Sequence, residues 1–258
     1  MKQMDMIAQI KKDLLQIKVF DNREQMGKAA ADDAQQYIQD ILSRKDEINV
    51  VFAAAPSQCD MLASLVGRDI PWERINAYHM DEYVGLNPGD PQSFGRFLDD
   101  HIFGLVPFKS VHYIAREGCP ADDLCEAYRR LLAGIHIDIV FMGIGENGHI
   151  AFNDPPHADF DDPQTVKILR LDEVSRMQQV HDGCFPSIQD VPTHAITLTV
   201  PTLMSADRLF NVAPTAYKAE AVRHLFHDAI SPACPASICR RHANATLYLD
   251  RDSARYII

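Results

Sequence analysis

Two short segments carry side chains able to move protons. The first reads His79, Met80, Asp81, Glu82, Tyr83, Val84, Gly85, Leu86 and begins at the end of the apolar run Ile75 to His79. Adjacent acids where an apolar strand ends are costly to desolvate, and an extended backbone sends neighbouring side chains to opposite sides. One acid is then available for chemistry while the other is tied into structure, although a solvated acidic turn is the commoner fate of loop carboxylates. The second segment follows Ile137 to Met142 and runs from Gly143 to Pro155. Gly143, Gly145 and Gly148 are spaced G-x-G-x-x-G, which taken alone suggests a dinucleotide loop. That loop belongs in an N-terminal βαβ unit with an acid about 20 residues further on. Here it lies past the middle of the chain and runs directly into His149. A loop histidine is often an ordinary, partly buried residue. This one has Asn147, Asn153 and Asp154 close by in sequence, and a carboxylate on one imidazole nitrogen would fix the tautomer and leave the other nitrogen for proton transfer.

Together, HMDEYVGL and GIGENGHIAFNDP resemble the paired signature of glucosamine-6-phosphate deaminases, and the likeness extends through Ala195 to Ala206 and the region of Lys218. It covers most of the chain. The related 6-phosphogluconolactonases share the fold and a glycine-glycine-histidine loop but usually lack Met-Asp-Glu-Tyr, which makes Met80 to Tyr83 the discriminating feature. The resemblance implies ring opening of a hexosamine 6-phosphate, transfer of a proton from C2 to C1 and release of ammonia. It casts Asp81 as the base at carbon and His149 as the group that handles the ring oxygen, with Asn147 and Asp154 beside it. Ser57, Gln58, Glu82, Gly145, Gly148, His181 and Lys218 are the expected substrate contacts. A base at carbon must be a shielded carboxylate about 3 Å from the proton, and ring opening needs a group that titrates near neutrality. The resemblance also implies a homo-oligomer, with no metal and no nucleotide cofactor.

The chain departs from the family pattern at several points. Many members have aspartate two residues before the histidine and glutamate five after it, where this chain has Asn147 and Asp154. Asparagine can orient His149 but carries no charge, so Asp154 becomes the expected charged partner. The glycine- and threonine-rich phosphate cradle is replaced by Ala53, Ala54, Ala55, Pro56, Ser57, Gln58. Ser57 reads either as a plain N-cap of the helix running to Val66 or as part of an anion site at that helix start. Lys218 aligns with the family's phosphate-binding lysine. A lysine in a first helical turn runs against the macrodipole unless an anion is near. The family's phosphate-binding arginine has no clear match: Arg176 fits an earlier arginine, and the expected position falls close to His181.

These residues need a frame. Short β-branched runs alternate with helical periodicity, a pattern that predicts an α/β fold, Rossmann-like and three-layered, with a mostly parallel central sheet. Strands are expected near Asn49 to Ala53, Ile75 to His79, Ser110 to Ile114, Ile137 to Met142, Val166 to Leu171, Ala195 to Val200, Leu209 to Val212 and Ala245 to Leu249. Helices are expected over Glu24 to Ser43, Pro91 to Phe103, Asp122 to Ala133 and Ala216 to Phe226. With 258 residues, 47% of them hydrophobic, the chain suffices for one domain over 1–258. Its first residues, over 1–16, mix charge with apolar groups as an amphipathic N-terminal helix would. Ligands of open α/β sheets bind at the carboxyl ends of strands, so the loops there should hold the chemistry.

A net charge of −11 disfavours nucleic acid and anionic membrane surfaces as partners and leaves a small sugar phosphate as the fitting one. No apolar run is long enough to span a membrane, no secretory signal is evident, and six scattered cysteines without C-x-x-C spacing read as reduced thiols. A cytoplasmic enzyme is expected. No group of His, Cys or carboxylates has metal-ligand spacing, since His79 and Asp81 share a strand side but lack a third partner. Two other functions fit the same residues. A sugar-phosphate lactonase would use His149 without needing Asp81 to touch carbon, and a sugar-phosphate sensor would bind without turnover.

Overall fold

A computed structural model describes residues 6–155 and 157–258. The chain opens with two strands, β1 (Met6–Lys12) and β2 (Leu15–Phe20), then α1 (Arg23–Leu42), β3 (Ile48–Phe52) and α2 (Cys59–Val66). It continues through β4 (Ile75–His79), β5 (Asp81–Tyr83), α3 (Phe94–Leu98, prolonged by a π turn to Phe103), β6 (Ser110–His112), α4 (Ala121–Leu132) and β7 (Ile139–Met142). The last part comprises β8 (Val166–Arg170), α5 (Glu173–His181), β9 (His194–Leu198), α6 (Val200–Met204), β10 (Arg208–Ala213), α7 (Ala219–His227) and β11 (Ala245–Asp250).

Eight strands form one sheet in the order β1-β2-β11-β10-β7-β3-β4-β6, parallel throughout except for the edge pair β1 and β2. Along β3 the side chains alternate between faces: Ile48, Val50 and Phe52 pack with α1 and α2, and Val51 packs on the side of α4 and α7. Burial on both faces explains why the central strands read as near-continuous apolar runs. Phe52, Phe141 and Phe210 sit in register on adjacent strands, with ring centroids 5.2 and 5.3 Å apart. Phe52 and Phe141 lie toward the carboxyl ends of their strands. A second, antiparallel sheet, β5-β9-β8, stands outside the first.

Each of the eight expected strands is present. β5 was not expected as a strand, and the expected N-terminal helix is not formed in the described part of 1–16. Residues 6–20 are instead a hairpin closed by Asp13 and Leu14, with Asp13 at φ 53°. Leu15, Ile17 and Val19 are fully buried on alternate positions of β2, which pairs in parallel with β11. The apolar spacing of Ile7, Ile10, Ile17 and Val19 fits either period, and the open edge of β11 decides for a strand. Residues 1–5 lie outside the described part. All six cysteines are unpaired thiols, and among the described residues no helix is long and apolar enough to cross a membrane.

α1 and α2 cross closely where α1 carries Gly27. A Cβ there would lie 2.7 Å from Asp60 Cβ and 2.8 Å from the backbone nitrogen of Met61. Alanine would add about 1 kcal/mol of helix propensity but force apart two packed backbones, which typically costs about 1–3 kcal/mol. Gly27→Ala is therefore expected to lower stability by up to about 2 kcal/mol in urea unfolding, whereas raised stability would show that the helices separate easily.

Candidate active site

Strand order reverses between β3 and β7: the chain moves outward through β4 and β6, then returns to the other side of β3. The loops leaving β3 and β7 therefore diverge and open a crevice at the carboxyl ends of the strands. The crevice is walled by Ser57, Gln58, Asp81, Gly145, His149 and Lys218, together with Gln178 and Gln179.

Four loops deliver these residues. After β3, Ala55 takes the N-cap position of a short 3-10 turn that leads into α2, and no side chain caps it. The N-cap reading of Ser57 is thus not realised: the hydroxyl accepts a hydrogen bond from Gln58 Nε2 at 3.2 Å and borders the crevice. Gln58 is fully buried and its Oε1 has no partner among the described residues.

After β4 the chain crosses into the outer sheet, where Asp81 and Glu82 separate. Asp81 turns to the crevice, and burial, with the neighbouring Glu82 charge, drives its pKa well above the usual carboxylate range. Glu82 turns the other way. Its carboxylate accepts N–H bonds from Tyr83 at 2.9 Å, Phe94 at 3.0 Å and Gly95 at 2.9 Å, tying β5 to the start of α3. Burial pushes its pKa up to about 7 against the pull of those three donors. Glu82 is consequently a structural anchor and does not line the crevice, which corrects its expected place among the substrate contacts.

The loop after β7 presents His149. Asn147 Oδ1 lies 2.8 Å, Ser175 Oγ 2.8 Å and Asp154 Oδ1 3.0 Å from His149 Nδ1. Ser175 gives its hydroxyl proton to Asp154 Oδ1, and Asn147 Nδ2 donates to the same oxygen at 3.0 Å. With acceptors on every side, the proton sits on Nδ1, and Nε2 keeps its lone pair for a ligand. Burial acts to raise the pKa of Asp154, but His149, Asn147 and Ser175 outweigh it and hold the carboxyl below its ordinary value. Asp154 thus supplies the charge that Asn147 lacks.

The glycines of this loop have separate tasks. A Cβ on Gly143 would come within 2.9 Å of Gln58 Nε2, and one on Gly145 within 2.1–2.3 Å of three imidazole atoms. Gly148, at φ +83°, packs on Cys234 Sγ and does not wall the crevice, contrary to expectation. No helix opens after Gly148, so the pyrophosphate geometry of a dinucleotide loop is not formed.

After β10, Thr215 adopts φ 78° and ψ 155°, a conformation nearly reserved for glycine. Asp250 Oδ2 accepts its N–H at 2.9 Å and steadies the turn that leads to Lys218. Lys218 is buried. Burial lowers its pKa, while Asp182 and Glu146 raise it. His181 stays at the rim, 3.3 Å from Glu146 Oε1 and stacked on Tyr217, and is not in the crevice wall. Arg176 donates to the carbonyls of Ile188 and Val191 and is structural.

Three residues of α5 were missed: Ser175 on the imidazole, and Gln178 and Gln179 in the wall. Their spacing of three and four after an N-capping Asp172 makes one buried polar stripe, a signal present in the sequence. His136, Asp138 and Asp207 also group at metal-ligand spacing, a cluster that sequence spacing did not reveal, at the opposite ends of β7 and β10. The Lys45 ammonium bonds Asp138 and lies 3.6 Å from Asp207, so that charge is already met within the protein.

A doubly wound sheet with a shielded carboxylate, an oriented imidazole and a buried lysine at its switch point describes an enzyme cleft for a small anionic substrate. Residues 21–248 match the model of the family described as glucosamine-6-phosphate isomerases/6-phosphogluconolactonase, and the chain belongs to that family of enzymes. A glucosamine-6-phosphate deaminase of Bacillus thuringiensis (strain Al Hakam) is 33% identical over 216 residues, covering 84% of this chain and 80% of the relative. Among solved structures, a monomeric glucosamine-6-phosphate deaminase superposes with a TM-score of 0.83 at 26% identity, covering 93% of this chain and 99% of that one. A 6-phosphogluconolactonase of Thermotoga maritima shares the fold with a TM-score of 0.73 at 20% identity, covering 91% and 98%.

Two outcomes follow from the geometry. Gly145→Ala must push the imidazole off its three partners, so turnover should fall by about 100-fold while the protein stays folded by circular dichroism; near-normal turnover would show the ring free to move. Asp81 has a raised folded pKa, so folding favours its protonated form, and its burial costs stability as pH climbs above its unfolded value of about 4. Asp81→Asn should therefore raise Tm at pH 8 by about 2–4 °C for each kcal/mol recovered, and the gain should vanish near pH 4. A pH-independent difference would contradict the desolvation of Asp81.

Proposed function

We propose that this chain converts a hexosamine 6-phosphate and water to the ketose 6-phosphate and ammonia. The carrying observation is Asp81, a desolvated carboxylate with its side chain in the same crevice as an imidazole whose proton is held on Nδ1. The 33% identity to a deaminase over most of the chain supports the same substrate class.

In this reading His149 Nε2 takes the C1 hydroxyl proton and returns one to the ring oxygen, giving the open aldehyde. Asp81 removes the C2 proton to form an enolamine and delivers it to C1. The resulting C2 imine adds water and expels ammonia. Each general acid–base step of this kind contributes about 100-fold to 10,000-fold. A raised carboxylate pKa makes the better base once ionised, and a cationic amino group at C2 would draw it into that state. Lys218, with the Ser57 hydroxyl and the start of α2, is the proposed phosphate end, where a dianion would favour the charged form of a lysine that burial disfavours.

The 6-phosphogluconolactonase relatives support a second reading, in which His149 activates water against a lactone. Hexosamine 6-phosphate incubated in deuterated water separates the two: the proposal expects deuterium incorporated through C2 exchange, and ammonia, from the wild type. Asp81→Asn should lose both activities by at least about 1,000-fold while still binding the sugar phosphate in calorimetry. Lactone hydrolysis without exchange would replace the proposal with the second reading, and turnover by the variant would remove Asp81 from the mechanism.

A further inference from the structure

The base proposed above sits two residues beyond the end of β4, at a point where the chain changes sheets. β4 pairs with β3 as far as His79 opposite Phe52, and two residues later Asp81 is paired antiparallel with Thr197 of β9. Met80 alone spans the gap, with its N–H on Phe52 O at 3.2 Å and its carbonyl on Leu198 N at 2.8 Å. A carboxylate on such a crossing is aimed only as well as the crossing is held.

The hold comes from His79. The side chain is 0% exposed, its Nε2 accepts the N–H of Ile114 at 2.8 Å, and its Nδ1 lies 2.9 Å from the carbonyl oxygen of Asp81. An amide N–H can only donate, so Nε2 carries the lone pair and the proton belongs to Nδ1, where it meets the Asp81 carbonyl. Tyr128 of α4 closes the other side: its hydroxyl donates to the His79 carbonyl at 2.8 Å and accepts the His79 N–H at 3.1 Å. The rings of Tyr113 and Tyr128 pack edge-on to the imidazole at 6.1 and 6.2 Å. Those two phenols and Asp81 are the titratable neighbours, and none offers the ring a carboxylate partner. Burial lowers the imidazole pKa to about 4, in keeping with the neutral ring that both hydrogen bonds require.

We propose that His79, braced by Tyr128, is a positioning residue that fixes the Asp81 backbone and so aims its carboxylate at the reacting carbon. The inference rests on the reading of Asp81 as the carbon base. It explains why a rigid ring stands at this position: donor and acceptor on its opposite edges tie β5 to the end of β6 with one side chain.

The test uses the full-length protein and a hexosamine 6-phosphate. His79→Phe, which keeps the ring and removes both hydrogen bonds, should lower kcat by about 10- to 100-fold with KM within about twofold. His79→Asn, whose side-chain amide replaces the Nδ1 donor, should recover most of that kcat although the Ile114 amide exchanges faster with solvent. Tyr128→Phe provides a second variant if His79→Phe misfolds, and a smaller fall in kcat at constant KM is expected. Unchanged kcat in folded His79→Phe, or in Tyr128→Phe should it alone fold, or His79→Asn no better than His79→Phe, overturns the proposal. If the wild type releases no ammonia, the base assignment fails separately. The clamp is then judged by the Asp81 carboxyl titration in NMR, which should move in His79→Phe and, if unmoved, overturns it.

Discussion

The reversal of strand order between β3 and β7 is the constraint on which the site depends. Two parallel strands lie side by side, yet the chains leaving them turn in opposite directions, so no crossover covers the space above their carboxyl ends. Everything placed there is held by short loops rooted in a sheet whose aromatic row, Phe52, Phe141 and Phe210, leaves little freedom beneath them. The outer sheet supplies the fourth wall by carrying Asp81 back over the opening.

Inside that crevice the electrostatics are arranged by partition. Of two neighbouring carboxylates, Glu82 receives three backbone N–H groups and Asp81 receives none from the described residues. One is satisfied and structural, while the other is left desolvated and facing the ligand space. His149 is treated in the opposite way, with three oxygens at Nδ1 and an unopposed Nε2.

The departures from the family pattern leave the imidazole a single carboxylate partner. Asn147 in place of aspartate withdraws a charge from the imidazole, and Asp154, fully buried and joined by Ser175, keeps on the other flank the charge that glutamate carries in many members. In the loop after β3, alanines replace glycines, but Gly143 across the crevice leaves room for Gln58 and so keeps that wall open. Thr215, one of three non-glycine residues with positive φ among the described residues, has its unusual backbone held by Asp250 where the chain turns toward Lys218.

The eight expected strands, the helices between them and the grouping of Asn147 and Asp154 around His149 were legible in the sequence alone. Buried parallel strands write continuous apolar runs, and a histidine with polar neighbours in a glycine-rich loop has a local signature. Other features depend on contacts between distant segments. Residues 6–20 have a spacing that suits helix or strand, and only the edge of β11 selects the hairpin. Glu82 could be assigned to structure only once the start of α3 had been brought against it, and Ser175 belongs to the site only because α5 packs beside His149. His79 looks like half of an unfinished ligand pair in sequence. Tertiary structure turns its ring onto two backbone groups, because a buried imidazole must satisfy both nitrogens and the crossing beside Asp81 offers one donor and one acceptor.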